Sequence, residues 1–398
     1  MRLLRAALVL SLLPVFGPAV ANAAAPPAPS VPLPDTQSVP ASPQSMDARP
    51  PDQAAGRELH GDQPAGGTSH DGGGSYAATS LSPSATWSVS AQTGDFRWSY
   101  PLRVPPAPGG LVPQLALSYV SSAVDGRTSA TNNQPSWAGD GWELNPGFVE
   151  RTYGGCLDDT DGGTTPPRTG DLCWRSDNAT AAYGGSGGML VRDTATGVWR
   201  PKADDGARVE RLTGAGNGDN DGEYWRITTV DGTQYLYGSR PEANSTWTVP
   251  VFGDDAGEPC HGVTFGASWC TQAWRWNLDK VIDRHGNAMV YSYDTETNSY
   301  GLNLHDTAVS YIRGGTLRRI DYGLRENPAA GASGQVEFVT ADRCVPGSTC
   351  TLDRKENWPD TPLDERCDAA TCPGHLSPTF WSTKRLSKVV TRVWTGTA

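Results

Sequence analysis

The residues best suited to chemistry form the string Asn217-Gly218-Asp219-Asn220-Asp221-Gly222-Glu223. Oxygen-bearing side chains at Asn217, Asp219 and Asp221 occupy alternate positions, and Gly222 stands sixth, where a Ca²⁺ loop turns sharply. Three such oxygens can converge on one hard cation, so these residues are candidate ligands for a structural Ca²⁺. Position twelve, where a bidentate Glu completes such loops, is Thr228, and a polar β-turn is the competing reading. No other cofactor is expected.

Nucleophilic chemistry finds less support. Gly184-Gly185-Ser186-Gly187-Gly188 fits the GxSxG pattern, but that elbow needs a strand before the serine and a helix after it. More glycine here reads as a flexible loop. A serine or cysteine nucleophile also needs a histidine base, and His261, His285, His305 and His375 have no poised neighbour in the sequence. The doublets Asp158-Asp159, Asp204-Asp205 and Asp254-Asp255 read as solvated turns, because adjacent strand residues point to opposite faces. A metal site at His60 and His70 would need Cys or carboxylate partners in a fixed geometry, and the ligand reading is not favoured. The chain is therefore expected not to be an enzyme.

Eight cysteines fall in four local pairs: Cys156 and Cys173, Cys260 and Cys270, Cys344 and Cys350, Cys367 and Cys372. An even count in an exported chain reads as disulfides. Connectivity stays open, with Cys350 and Cys367 as a rival pair. Export makes a disulfide loop the better reading of Cys367, Cys372 and His375, which otherwise imitate a metal set.

Export itself is read from Arg2 and Arg5, an apolar run over residues 6–20 and the small-residue site Ala21-Asn22-Ala23, the three parts of a signal peptide. The run is broken by Pro14, Gly17 and Pro18 and is short of the about 20 residues of a membrane span. Residues 1–23 are the expected signal peptide, leaving no span after its removal and a secreted, extracellular or cell-wall-associated chain. Residues 24–78, rich in Pro, Ala, Gly and Ser, cannot bury enough surface to offset ordering entropy and read as a disordered leader. The formal charge of −11 becomes about −13 without Arg2 and Arg5, which argues against nucleic-acid partners.

The elements that position these groups are strands. With 46 Gly and 32 Pro, nearly every window of helical length is interrupted, while 14 Trp and 13 Tyr supply apolar area suited to sheets. Trp87 and Val89, a turn at Thr93-Gly94-Asp95, then Phe96, Trp98 and Tyr100 alternate as a hairpin, followed after residues 105–113 by Leu115, Leu117 and Tyr119. A second hairpin spans 224–230 and 233–237 around Asp231-Gly232; a two-residue turn there places Ile227 opposite Leu236 and Thr228 opposite Tyr235. A third joins Trp276, Leu278, Lys280 and Ile282 to Met289, Tyr291 and Tyr293 through Arg284-His285-Gly286-Asn287. Further strands are expected at 335–340 and 386–394. Residues 79–398 thus read as one all-β domain of irregular antiparallel hairpins and sheets, a sandwich or partial β-shell.

Residues 93–142 add a resemblance. Gly94 and Phe96, Pro101-Leu102-Arg103-Val104-Pro105-Pro106, Gly109-Gly110-Leu111, Pro113, Leu115, Leu117, Tyr119 and Gly141-Trp142-Glu143-Leu144 resemble the N-terminal region of Salmonella virulence-plasmid B-type and insecticidal-toxin-complex B-type proteins, which in many secreted bacterial proteins precedes an RHS/YD-repeat shell. Asp283-Arg284-His285-Gly286-Asn287 with Tyr291, Tyr293 and Asp294 looks like a YD-type unit. The resemblance implies a structural role beside a hollow β-shell enclosing a C-terminal toxin, so the implied partner is an RHS/YD-repeat shell or downstream toxin region, and no effector is expected in this chain. A cell-wall or carbohydrate-binding β-module, using exposed Trp and Tyr on a glycan partner, is the alternative; a secreted hydrolase is the third reading.

Overall fold

A computed structural model describes residues 86–91, 93–124, 134–160, 168–326 and 331–396. The expected signal peptide, the leader, His60 and His70 lie outside them. Among the described residues the only helices are short 3-10 turns, none long and apolar enough to cross a membrane.

The all-β expectation holds. Strands Phe148–Glu150, Ala179–Tyr183, Ser186–Arg192, Trp199–Pro201, Arg208–Leu212, Tyr224–Thr228, Gln234–Tyr237 and Trp269–Ile282 follow one another as antiparallel neighbours. The last pairs both with Gln234–Tyr237 and with Phe148–Glu150, closing an eight-stranded barrel. A barrel this size has an interior that side chains fill. Val149, Leu190, Val209, Ile227 and Leu278 lie in its buried core, where Trp225 packs edge-on against Trp199 and Trp276 at 5.1 and 6.1 Å between ring centres. Closure removes the edges that an open sandwich would leave.

From Trp269–Ile282 the sheet continues outward through Asn287–Gly301, Ala308–Arg325, Gly334–Asp342 and Lys384–Val393, all antiparallel. The last strand ends the sheet and carries Lys384, Arg385, Lys388 and Arg392, charges that discourage edge-to-edge pairing with another chain. A separate four-stranded antiparallel sheet is built from Thr86–Val89, Phe96–Pro101, Ala116–Val120 and Trp142–Glu143, in that order.

One register differs from expectation. Thr229 N–H donates to Thr233 O and Gly232 N–H to Thr229 O, so the turn has three residues, Val230-Asp231-Gly232, with Gly232 at φ +86°. This is the turn-plus-bulge connection that needs a left-handed third residue. Asp231 favours it by accepting from Thr229 Oγ1 and from Thr233 N–H and Oγ1. The extra residue shifts the ladder by one: Ile227 faces Tyr235, Trp225 faces Tyr237, and Leu236 opposes Arg226. Tyr235 and Tyr237 therefore share the core face with Ile227.

Candidate functional site

The acidic string lies in the loop entering Tyr224–Thr228. Asn217 Oδ1 accepts from Asp219 N–H, and Asn217 Nδ2 donates to the carbonyls of Glu223 and Gly238. Asp219 Oδ1 accepts from the N–H groups of Asp221 and Glu223, and its Oδ2 from Ala273 N–H at 2.7 Å. Burial raises the Asp219 carboxyl to about 6 despite these backbone donors. The loop is thus a hydrogen-bonded turn that ties the hairpin to the Trp269–Ile282 strand.

Beneath it lies a charge lock absent from the sequence reading. Glu223 Oε1 and Oε2 accept from Arg151 Nη2 and Nη1 at 2.9 and 3.0 Å, and Arg211 Nε donates to Oε2 at 2.7 Å. The Arg151 and Glu223 side chains are 0% and 1% exposed. Arg151 sits near the rings of Trp174 and Trp276, 4.8 and 5.1 Å from their centres, where cation–π attraction offsets lost hydration. Two residues 72 apart in sequence give no local sign of pairing.

Gly184 and Gly185 form a two-residue hairpin turn at φ +52° and +84°, with Tyr183 opposite Ser186. Ser186, Gly187 and Gly188 continue directly into a strand, so the flexible-loop reading gives way to a tight turn, and no strand-to-helix elbow forms. His261 Nδ1 lies 3.1 Å from Gly253 O, and His285 Nε2 accepts from Arg284 Nε. Of the Asp doublets, Asp204-Asp205 is the exposed turn expected, its Oδ1 atoms accepting from the N–H groups of Gly206 and Ala207, whereas Asp159 departs from the solvated-turn reading because it is buried and paired with Arg175.

Disulfides join Cys156–Cys173, Cys260–Cys270, Cys344–Cys350 and Cys367–Cys372. The Cys367–Cys372 loop is laced to the sheet margin: Ser299 N–H donates to Cys367 O, Cys372 N–H to Asp306 O, and Gly301 N–H to the backbone carbonyl of His375. Cys156 and Cys173 are buried in a second core with Trp174, Val251, Phe252 and Tyr300.

Two surfaces could engage a partner. The four-stranded sheet places Trp87, Trp98, Tyr119 and Trp142 in one cross-strand row, flanked by the pairs Val89–Phe96 and Tyr100–Leu117. All eight therefore lie on one face. Trp87 is 68% exposed and Trp98 42%, and Val89, Phe96 and Tyr100 are also exposed.

Alternation sends Glu143 to the opposite side from Trp142, where it lines a cavity of about 300 Å³ with Trp137, Trp247, Trp274, Tyr293 and Trp381. Water reaches the Glu143 side chain, yet the surrounding walls raise its carboxyl pKa, burial being the main cause; Arg275 counteracts this and Glu150 adds to it. Sequence reasoning passed over Glu143 as a functional group, although it lies in the string Gly141-Trp142-Glu143-Leu144, and the alternation about Trp142 was the available signal.

A closed antiparallel barrel extended by long hairpins defines a β-structural domain. Residues 90–343 match the family described as Salmonella virulence plasmid 65kDa B protein (SpvB), and the chain belongs to this family. The resemblance seen over 93–142 thus reaches through the barrel and into the outer hairpins. No curated protein matches by sequence. Similar solved structures include TcdB2-TccC3 (17% identity, TM-score 0.39, 67% of this chain and 12% of that one) and the Photorhabdus luminescens Tc holotoxin pore (16%, 0.40, 77% and 13%). The N-terminal domain of effector protein SpvB from Salmonella typhimurium strain LT2 is also similar (16%, 0.35, 73% and 87%). The chain spans about an eighth of the length of the two toxin chains.

Proposed function

We propose that the chain is a secreted structural and interaction module, the N-terminal part of an RHS-type toxin-packaging shell, without an effector of its own. Membership of the SpvB family supports this reading. The observation that carries it is the uncovered aromatic face. On one uncharged face of the sheet Trp87, Val89, Phe96, Trp98 and Tyr100 stand exposed, with Tyr119 and Trp142 half-buried beside them and Leu117 packed against the main core. Contiguous exposed apolar surface of this kind marks an interface, and a second sheet is a natural cover, since sheets pack face to face about 10 Å apart. The partner is a YD-repeat shell.

Glycan stacking is less well served by the same face. Beyond the stacked Trp87 and Phe96, inclined by 21°, the rings tilt by 56° for Phe96 and Tyr119, 55° for Tyr119 and Trp142 and 50° for Trp98 and Trp142, so they offer no continuous flat platform for a sugar. Co-expression of the mature chain with a YD-repeat shell polypeptide should give a stable complex. Trp87→Ser/Trp98→Ser should weaken it ~10-fold or more, as for truncation of buried interfacial Trp anchors. Absence of any complex, or retention on polysaccharide that these substitutions abolish, would overturn the shell reading. Turnover of glycan, ester or peptide substrates by the purified chain would overturn its non-catalytic part.

A further inference from the structure

The cavity beside Glu143 has walls that the shell role does not use. Two of its rings already hold guanidiniums, Arg313 lying 3.6 Å from the centre of Trp381 and Arg275 5.6 Å from that of Trp247, and both indoles are buried. The aromatic surface left for a guest is that of Trp137 and Trp274, which line the cavity half-buried. Their N–H groups are spent, Trp137 Nε1 on Leu144 O and Trp274 Nε1 on Ile312 O, so what they offer is ring carbon.

The charges of the lining are matched. Arg275 pairs with Glu150, Arg313 with Glu296 and Arg343 with Asp360. Arg343 gives its other donors to the carbonyls of Lys384, Pro135 and Ser136, and Arg313 to those of Thr297 and Trp381. Arg275 differs: Nε donates to Asn277 Oδ1 and Nη1 to Glu150, while Nη2 has no hydrogen-bond partner among the described residues. Glu143 lies in the field of that guanidinium without forming an ion pair with it. Asn145 Oδ1 accepts from Gly147 N–H, which leaves its amide donors for a guest.

One acceptor and two donors thus stand beside two indole walls, with too little net charge to demand an ion. Hydroxyl groups donate and accept at once, and the electropositive C–H face of a pyranose ring is drawn to the negative face of an aromatic ring. Apolar walls with a few polar groups are the usual make-up of small-molecule sites of ~300–1,000 Å³, and about 300 Å³ suits a single sugar ring. We propose that this cavity binds a neutral sugar, one pyranose ring seated against Trp137 and Trp274 with its hydroxyls donating to Glu143 and accepting from Arg275 and Asn145.

The mature chain is titrated with D-glucose, D-galactose, D-mannose and N-acetylglucosamine, and with sorbitol, glucuronate and glucosamine for comparison, at constant ionic strength with indole fluorescence and calorimetry as readouts. At least one neutral pyranose should bind more tightly than all three comparison compounds: sorbitol has the hydroxyls without the ring face, and the other two carry a charge of either sign. Glu143→Gln should weaken binding of that sugar ~10-fold, about 1.4 kcal/mol, and Trp274→Leu should abolish it, with circular dichroism checking the fold of both variants. Should Trp274→Leu fail to fold, Glu143→Gln alone decides. No response to any pyranose at ~0.1 M, far above the usual range of specific sites, would overturn the proposal. So would sorbitol, glucuronate or glucosamine binding as tightly as the best pyranose, or undiminished affinity in Glu143→Gln. None of these outcomes depends on assembly with a shell, so the test stands apart from the one for the structural role.

Discussion

Replacing Glu223 by Gln should be among the most damaging single changes in the barrel. The substitution keeps the shape and removes the charge facing Arg151, whose guanidinium is fully buried and makes two bonds to that carboxylate. Arg211 loses its partner too, but it is 27% exposed and water compensates it. Arg151 has no such recourse beyond the Asn178 carbonyl, to which its Nε donates, and the Trp174 and Trp276 rings. Breaking a buried pair in this way costs about 3–5 kcal/mol. For a domain of this size that lowers Tm by roughly 6–20 °C, at about 2–4 °C per kcal/mol.

Urea and thermal unfolding with the disulfides intact would measure it. The decisive comparison is a double-mutant cycle of Arg151→Met and Glu223→Leu. Each single change leaves one buried charge or its acceptors stranded, whereas Arg151→Met/Glu223→Leu removes both charges and should recover more than half of the loss, because replacing a buried pair by apolar groups is often neutral. A loss under ~1 kcal/mol for Glu223→Gln, the level of an exposed pair, or strictly additive effects in the cycle, would refute the reasoning.

Acidification from pH 7.5 to 5 should stabilise the fold. Burial raises Asp279 and Asp219 from 3.8 to about 6, so the folded state binds their protons more tightly and gains stability as pH falls through 6 towards 4, on the order of 2 kcal/mol per group. The lowered carboxyls of Asp231 and Asp283 work in the opposite direction only below about pH 4, and a flat stability profile between pH 7.5 and 5 would contradict the burial argument. Peptide mapping without reduction should recover Cys344–Cys350 and Cys367–Cys372 and no Cys350–Cys367 peptide, while Cys156→Ser/Cys173→Ser should cost about 3 kcal/mol, as for a loop of this length. Millimolar Ca²⁺ should leave Tm unchanged relative to EDTA, because three backbone N–H groups already occupy the Asp219 oxygens; a rise abolished by Asp221→Asn would restore the cation reading.

What the sequence made legible was local. Alternation of Trp87, Val89, Phe96, Trp98 and Tyr100 about a Gly94 turn is a statement about neighbouring residues, and a two-residue period with a turn glycine suffices to write it. The same holds for Asp283–Asn287, where Asp283 O accepts from Gly286 N–H and Asp283 N–H donates to Asn287 O. A register depends on one residue more or less in the turn, and the Asp231 side chain decides that by its bonds to Thr229 and Thr233, which the dipeptide Asp231-Gly232 does not display.

Barrel closure is of another kind. Gln234–Tyr237 meets Trp269–Ile282 across an intervening strand, Thr246–Phe252, that pairs with the first half of the same long strand, so one strand serves two neighbours along one edge. No periodicity encodes which segment takes which half. The lock and the cavity depend on that closure: Arg151 follows the Phe148–Glu150 strand, Glu223 precedes Tyr224–Thr228, and Trp276 between them donates its indole N–H to Glu223 O. Their chemistry exists only once the barrel has closed. Glu143 shows the limit most sharply: its place opposite Trp142 follows from strand alternation, but its nearness to Arg275, which pairs with Glu150 125 residues away in sequence, follows only from the fold. A sequence can list the charges; the fold decides which of them meet.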